Sequence, residues 1–167
     1  LELAKLEAGK MRLHPEPLTP AQACEHAAAL FRQQAEKKNI DVKVIADVHA
    51  PPTRQDAGKV QQILLNLLSN AVKYTPEGGR VVLSARAAAA TVEIAVVDTG
   101  IGIPPERLDA VFEPFVQVHS GLTRTSDGTG LGLSISRDLA RGMGGDLRVE
   151  STLGAGSTFT LVLPAAR

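Results

Sequence analysis

The fold is decided by residues 56–74, which read DAGKVQQILLNLLSNAVKY. Apolar side chains recur here at steps of three and four residues, the spacing that places them on one face of an α-helix. They are Val60, Ile63, Leu64, Leu67, Leu68 and Ala71. The segment therefore predicts an amphipathic helix from Asp56 to Tyr74, which the Thr75-Pro76 and Gly78-Gly79 pairs end.

The regions on either side of this helix predict the rest of the domain. Thr19-Pro20 favours the start of a long helix ending near Asn39, because Thr is a good N-cap and Pro fits the first helical position. Alternating apolar residues and turn signals predict further elements. They are strands at 40–44, 81–86, 92–98, 147–151 and 157–163, a short helix at 104–112, an irregular stretch at 116–129, and a helix at 130–143.

Hairpins separated by helices predict an α/β fold. We expect a two-layer α/β sandwich whose mixed, largely antiparallel sheet is covered by helices on one face. Residues 1–15 read as the end of a helix followed by a proline-containing linker, and residues 16–167 as one domain.

Composition excludes several classes of protein. The 167 residues hold 18 basic and 18 acidic side chains, and a zero net charge argues against a nucleic-acid binder. The single cysteine, Cys24, excludes an internal disulfide and a multi-cysteine zinc site. No apolar run approaches the roughly 20 residues of a membrane span. We expect a cytoplasmic domain, which a longer parent protein can still anchor to a membrane.

A polar stripe on the 56–74 helix is the first candidate site. At about 100° per residue, Asn66, Asn70 and Lys73 fall within roughly 60° of one another, away from the apolar face. Amide oxygens and a cation suit a polyphosphate bound to Mg²⁺, which takes oxygen ligands. A solvated surface is the alternative interpretation of the same stripe.

The second candidate is Asp98-Thr-Gly-Ile-Gly102, which follows an apolar strand. The Asp98 carboxylate can accept a hydrogen bond from an amino group such as that of adenine. Gly100 and Gly102 lack side chains, so a flat ligand can approach the backbone. A plain Asp-Gly turn is the alternative.

The third candidate is the segment 127–133, which reads DGTGLGL and stands at a predicted helix start. Backbone N–H groups at a helix N-terminus suit phosphate. The spacing is neither the Rossmann fingerprint nor a P-loop. A flexible entry to the helix is the alternative.

Taken together and in order, these motifs resemble the catalytic ATP-binding domain of histidine kinases. That family lies within the GHKL superfamily, which includes gyrase, the large heat-shock chaperone ATPases and MutL, and has the Bergerat ATP-binding fold. The resemblance covers residues 16–164. Its motifs are similar to the N box (66–74), the first glycine box (98–102), the F box (112–115), the second glycine box (128–133) and the closing glycine motif (154–159).

The resemblance implies a role for each matching residue. Asn70 and Asn66 are expected to hold Mg²⁺, Lys73 to contact phosphate, Tyr74 to pack near the adenine, and Asp98 to bind its amino group. Gly100 and Gly102 are expected to shape the adenine pocket. The phosphate end of a lid over residues 116–129 is expected to be held by Gly128, Thr129, Gly130, Leu131 and Gly132.

Other positions keep two interpretations. Arg124 is expected either to contact the γ-phosphate or to remain solvated. Phe112 and Phe115 are expected to anchor the base of the lid as core residues. Ser157 is either part of the adenine side or a hydrogen-bonded strand serine.

The expected activity is that of a protein-histidine kinase. In gyrase-like and chaperone-like relatives a Glu stands where this chain has Asn66, and an amide cannot activate water as a base. This favours phosphoryl transfer over hydrolysis. None of the histidines has the sequence context of a phosphoacceptor; they are His14, His26, His49 and His119. We therefore expect the acceptor on a dimerisation domain of the parent kinase, outside this chain.

The expected partners follow from the same resemblance. They are that dimerisation domain and, downstream, a response-regulator receiver domain. We expect the chain alone to be monomeric and the parent homodimeric. A hydrolysing ATPase of the same superfamily and a nucleotide-binding module without transfer activity remain the alternatives.

Overall fold

The computed structural model describes residues 12–47, 52–114 and 132–165. The elements follow one another in this order: β1 (Glu16–Leu18), α1 (Pro20–Lys37), β2 (Asp41–Ala46), β3 (Thr53–Gln55), α2 (Ala57–Tyr74), β4 (Arg80–Ala88), β5 (Thr91–Asp98), a 3₁₀ helix (Pro105–Ala110), α3 (Gly132–Gly142), β6 (Asp146–Thr152) and β7 (Gly156–Pro164). The predicted leader helix and the irregular stretch at 116–129 lie outside the described residues.

The main sheet has five strands in the order β2-β4-β5-β7-β6. β2 runs parallel to β4, with Val42 opposite Val81, and the other neighbouring pairs are antiparallel. Side chains on β4, β5 and β7 alternate between buried and half-exposed, as expected for a sheet with one covered face. The predicted mixed, largely antiparallel sheet is confirmed.

The buried face of α2 forms the centre of the core. Its apolar stripe is buried, and Ile63, Leu64 and Leu68 are fully inaccessible to solvent. The same core includes the inward-facing side chains of the sheet, among them Leu83, Ile94 and Leu161. Burying such side chains stabilises a fold by about 1.5–3 kcal/mol each. This packing fixes which face of α2 is left for a ligand.

The start of α2 is fixed by Asp56 at the N-cap. Its carboxylate accepts hydrogen bonds from the backbone N–H groups of Lys59 at 3.1 Å and His14 at 3.0 Å. Burial opposes ionisation here, but these backbone hydrogen bonds hold the pKa of Asp56 below its ordinary value. The cap ties the segment before β1 to the helix that carries the polar stripe.

A second, two-stranded sheet was not predicted. β1 pairs antiparallel with β3, with Pro17 opposite Arg54. The sequence pattern suggested no strand at either position, only a proline-containing linker shortly before β1. Strands of three residues are too short to show an alternating pattern, which explains the omission.

Within the described ranges, no helix is both long and apolar enough to cross a membrane.

Candidate functional site

A recess opens where the last turn of α2, the end of β5, the start of β7 and the first turn of α3 meet. The sheet register brings Asp98 opposite Ser157, and α2 supplies two residues one helical turn apart. The recess is lined by Asn70, Tyr74, Asp98, Gly102, Ile103, Leu133, Ser157 and Phe159. The first two sequence candidates therefore meet in one cavity.

The Asp98 carboxyl group is the recess's buried acid. Only 8% of the residue is exposed. Its Oδ1 accepts hydrogen bonds from the backbone N–H of Gly100 at 2.8 Å and of Ser157 at 3.2 Å. Burial raises the pKa of Asp98 above its ordinary value, although these two bonds act in the opposite direction. Both bonds end at Oδ1, and within the described residues no hydrogen bond ends at Oδ2.

Gly102 is required by the fold. Its φ is +75°, and a Cβ there would lie 2.2 Å from the carbonyl oxygen of Thr152. The neighbouring Ile101 carbonyl accepts a hydrogen bond from Gly154 N at 2.7 Å. The sequence reading attributed this glycine to ligand access. The structure shows a second reason for glycine here: the loop after β5 packs closely against the turn between β6 and β7.

The polar stripe of α2 is divided between the recess wall and the start of α3. Asn70 lines the recess. Asn66 donates from Nδ2 to Ser136 Oγ at 2.9 Å, and a Cβ on Gly132 would lie 2.5 Å from Asn66 Oδ1. Gly132 thus lets α3 begin against this amide. Lys73 is absent from the recess lining, and its Nζ lies 5.4 Å from the centre of the Tyr74 ring.

Lys38 supports the end of α2 and was not identified from the sequence. Its Nζ donates to the carbonyl oxygens of Val72 at 2.8 Å and Lys73 at 3.2 Å. A cation at a helix C-terminus satisfies carbonyls that lack helical partners and offsets the helix dipole. It therefore fixes the turn that carries Tyr74. No spacing in the sequence links Lys38 to α2.

Apolar walls complete the recess, and sequence reasoning missed them as well. Phe159 meets Phe112 edge to face, with ring centres 6.3 Å apart. The Arg137 guanidinium lies 4.3 Å from the centre of the Phe112 ring and pairs with Asp146 at 3.3 Å. Phe112 packs against the core as predicted. Ile103, Leu133 and Phe159 looked like ordinary core residues. Only for Phe159 does the sequence suggest otherwise, because it follows Ser157 by two residues on the same strand and therefore shares its face.

Several predicted residues lie outside the described part of the chain, and their roles stay predictions. They are Phe115, Arg124, Gly128, Thr129, Gly130 and Leu131. Ser157 fits both of its interpretations, because it lines the recess and its hydroxyl lies 2.8 Å from Ser151 Oγ.

A family profile and solved structures match this chain. The profile of the family described as histidine kinase-, DNA gyrase B-, and HSP90-like ATPase matches residues 55–167. The structure of full-length ShkA in complex with AMPPNP superposes with a TM-score of 0.86 and 35% identity, covering 99% of this chain and 35% of that one. The nucleotide-free catalytic domain of histidine kinase ThkA gives 0.79 and 27%, covering 93% of this chain and 97% of that one.

Curated relatives match over nearly the full length of this chain. Histidine protein kinase DivJ of Caulobacter vibrioides is 37% identical over 164 residues, which are 98% of this chain and 27% of DivJ. The chain spans about a third or less of the curated relatives it matches.

Proposed function

Because the chain belongs to the family of histidine kinase-, DNA gyrase B- and HSP90-like ATPases, we propose that it binds Mg-ATP and phosphorylates a histidine on a separate dimerisation domain. Within that family it is an ATP-binding domain of the sensor histidine kinase type. The observation that carries the proposal is the buried Asp98 carboxylate, whose Oδ2 is left for a ligand in an otherwise largely apolar recess.

The recess suits adenine on chemical grounds. Oδ2 of Asp98 accepts one hydrogen bond from the exocyclic amino group, while Ile103, Leu133 and Phe159 contact the faces of the ring system. A charged acceptor in an apolar site binds a donor more strongly than a solvated one does. The ShkA structure, which is a complex with AMPPNP, supports nucleotide binding by a domain of this fold.

The phosphates extend from the recess along the polar stripe of α2. Asn70 and Asn66 present neutral oxygen ligands that suit Mg²⁺, with Lys73 as a further cation on the same face. Two amide oxygens are too few to fill the coordination shell of Mg²⁺, so such a cation would be held jointly with phosphate oxygens and water. When bound, Mg²⁺ neutralises charge on the β- and γ-phosphates.

Asn66 favours transfer to another protein over hydrolysis. Its Nδ2 already donates to Ser136, and an amide does not take up a proton near neutral pH. Among the described residues that line the recess, Asp98 alone carries a carboxyl group, and the backbone N–H groups of Gly100 and Ser157 hold it on the purine side. The described residues thus hold ATP and stabilise charge without supplying a base for water.

The transfer step takes its nucleophile from the partner. An imidazole nitrogen of the dimerisation domain bonds to the γ-phosphorus, the bond from that phosphorus to the β–γ bridging oxygen breaks, and ADP leaves. The imidazole proton passes to a base of the partner or to solvent. Among the described histidines, His14 and His26 are exposed and lie outside the recess lining. A receiver domain then accepts the phosphoryl group from that histidine.

The test mixes this chain with Mg-ATP labelled at the γ-phosphate and a separately produced dimerisation domain from a histidine kinase. We expect acid-labile, base-stable phosphate on that domain, and none when its histidine is replaced by glutamine. ATP binding without transfer to any dimerisation domain would instead indicate a binding module. Steady phosphate release by the chain alone would indicate an ATPase. Failure to bind ATP would overturn the proposal entirely.

A further inference from the structure

Ser151 on β6 connects three groups next to the recess. Its Oγ accepts a hydrogen bond from Ile103 N at 2.8 Å and donates one to the carbonyl oxygen of Gly156 at 2.9 Å. It also lies 2.8 Å from the Oγ of Ser157, directly opposite on β7. Ser157 is 8% exposed and lines the recess beside Asp98.

Only one assignment of protons satisfies all three contacts. The N–H of Ile103 must donate, and the carbonyl oxygen of Gly156 can only accept, so the single Ser151 proton goes to that carbonyl. The proton shared by the two serines therefore belongs to Ser157. With its proton directed at Ser151, the Ser157 oxygen has only lone pairs left for the recess.

We propose that Ser151 is a positioning residue that fixes Ser157 as a hydrogen-bond acceptor and thereby selects an amino-bearing purine. The inference rests on the proposed nucleotide-binding function and extends it to the choice of base. Two acceptors, Ser157 Oγ and Asp98 Oδ2, then occupy the same wall. The adenine amino group offers two N–H donors to that wall.

A keto purine meets the opposite situation. Hypoxanthine has an oxygen where adenine has the amino group, so its lone pairs would face those of Ser157 and Asp98. A buried acceptor left without a hydrogen-bond donor is costly. The site should therefore discriminate strongly against a purine that lacks the amino group. Without Ser151 the Ser157 hydroxyl can turn its proton toward the recess and donate to that oxygen.

The experiment compares ATP with inosine triphosphate on the whole 167-residue chain. Dissociation constants are measured by calorimetry with Mg²⁺ present and no acceptor domain. The ratio of interest is the dissociation constant of inosine triphosphate divided by that of ATP. For Ser151→Ala we expect this ratio to fall about tenfold, the effect of one hydrogen bond, chiefly because inosine triphosphate binds more tightly. Ser151→Thr, which keeps the hydroxyl, should retain the parent ratio.

A matched control lies on β7. Thr158 is the next residue after Ser157 and points to the other face of the sheet, so Thr158→Val should leave the ratio unchanged. An unchanged ratio in Ser151→Ala would overturn the inference while leaving ATP binding intact. Should that variant fail to fold, Ser157→Ala decides, because it removes the acceptor and must also lower the ratio. Absence of ATP binding by the parent would instead remove the proposed function and this inference together.

Discussion

The sides of the recess that we propose for the purine (the purine side) and for the phosphates (the phosphate side) are held in different ways. On the purine side, Asp98 and Ser157 are buried, and the backbone N–H of Ser157 donates a hydrogen bond to the Asp98 carboxylate. Gly102 lies against the backbone of Thr152. On the phosphate side, Asn66 and Asn70 are half-buried side chains on one helix face. If the proposal holds, the groups that recognise the purine are part of the fold, whereas the groups that bind phosphate are side chains that can change without unfolding the domain.

The largest effect is expected from Gly102→Ala on the purine side. The alanine would have to keep the left-handed φ of +75°, and its Cβ would lie 2.2 Å from the Thr152 carbonyl oxygen. We expect the free energy of unfolding to fall by about 3 kcal/mol, measured by urea denaturation.

Gly154→Ala is the control for that substitution. Gly154 has a similar φ of +84° with open space around it, so it carries the conformational strain without the contact. Gly154→Ala should therefore lower the free energy of unfolding by only about 1 kcal/mol. Equal losses at both positions would contradict the claim that the purine side is locked by this contact.

Asn70→Ala should separate activity from stability on the phosphate side. Losing an oxygen ligand for Mg²⁺ should slow phosphoryl transfer about 100-fold, because charge on the phosphates is then less well neutralised. Free energy of unfolding should change by less than about 0.5 kcal/mol, since the side chain is half-buried on a helix surface. The exposed neighbour Ser69→Ala should change neither quantity. Transfer to the dimerisation domain and urea unfolding, measured on the same preparations, test the separation.

A smaller effect is expected from Gly132→Ala. The methyl group would lie 2.5 Å from Asn66 Oδ1 and displace that side chain, which can move because it is not backbone. We expect Mg²⁺-dependent ATP affinity to fall about tenfold, with little change in unfolding. In an Asn66→Ala background the same substitution should have no further effect on affinity. An additive loss in the double variant would show that Gly132 acts independently of Asn66.

Much of the fold was predictable because its elements are long and strongly patterned. The α2 helix agrees with its predicted range because its apolar stripe spans the whole segment, and Asp56 is its cap as expected of that residue type. The parallel pairing of β2 with β4 was not predictable in detail. It depends on a crossover from β2 to β4 through α2, and no local pattern encodes which strands such a crossover brings together.

The candidate site was predicted best where polar residues break an apolar context. Asp98 after a buried strand and two asparagines on a helix are such breaks, and Asn70 and Asp98 meet in the recess. Phe159 and Leu133 fell inside the recognised motifs but were given no role, because an apolar residue that lines a recess resembles an apolar residue in the core. Lys38 was missed because it acts on main-chain carbonyls of a distant helix.

The smallest effect expected concerns pH. The pKa of Asp98 is raised in the folded state, chiefly by burial, so the folded protein binds this proton more tightly than the unfolded chain does. Its contribution to stability is complete below the unfolded pKa of about 3.9 and is lost as pH rises through the raised value. Asp98→Asn removes this dependence. Without nucleotide, the variant should therefore gain stability relative to the parent as pH increases from about 4 to 7.

Measuring ATP affinity and urea stability together in Asp98→Asn tests whether Asp98 recognises the nucleotide. Asparagine keeps an oxygen for the N–H groups of Gly100 and Ser157, but it replaces the free Oδ2 by a donor. We predict that ATP binds about 100-fold more weakly while the nucleotide-free protein is more stable than the parent at pH 7. ATP binding as tight as in the parent would contradict the account, and so would a loss of stability that accompanies the loss of binding.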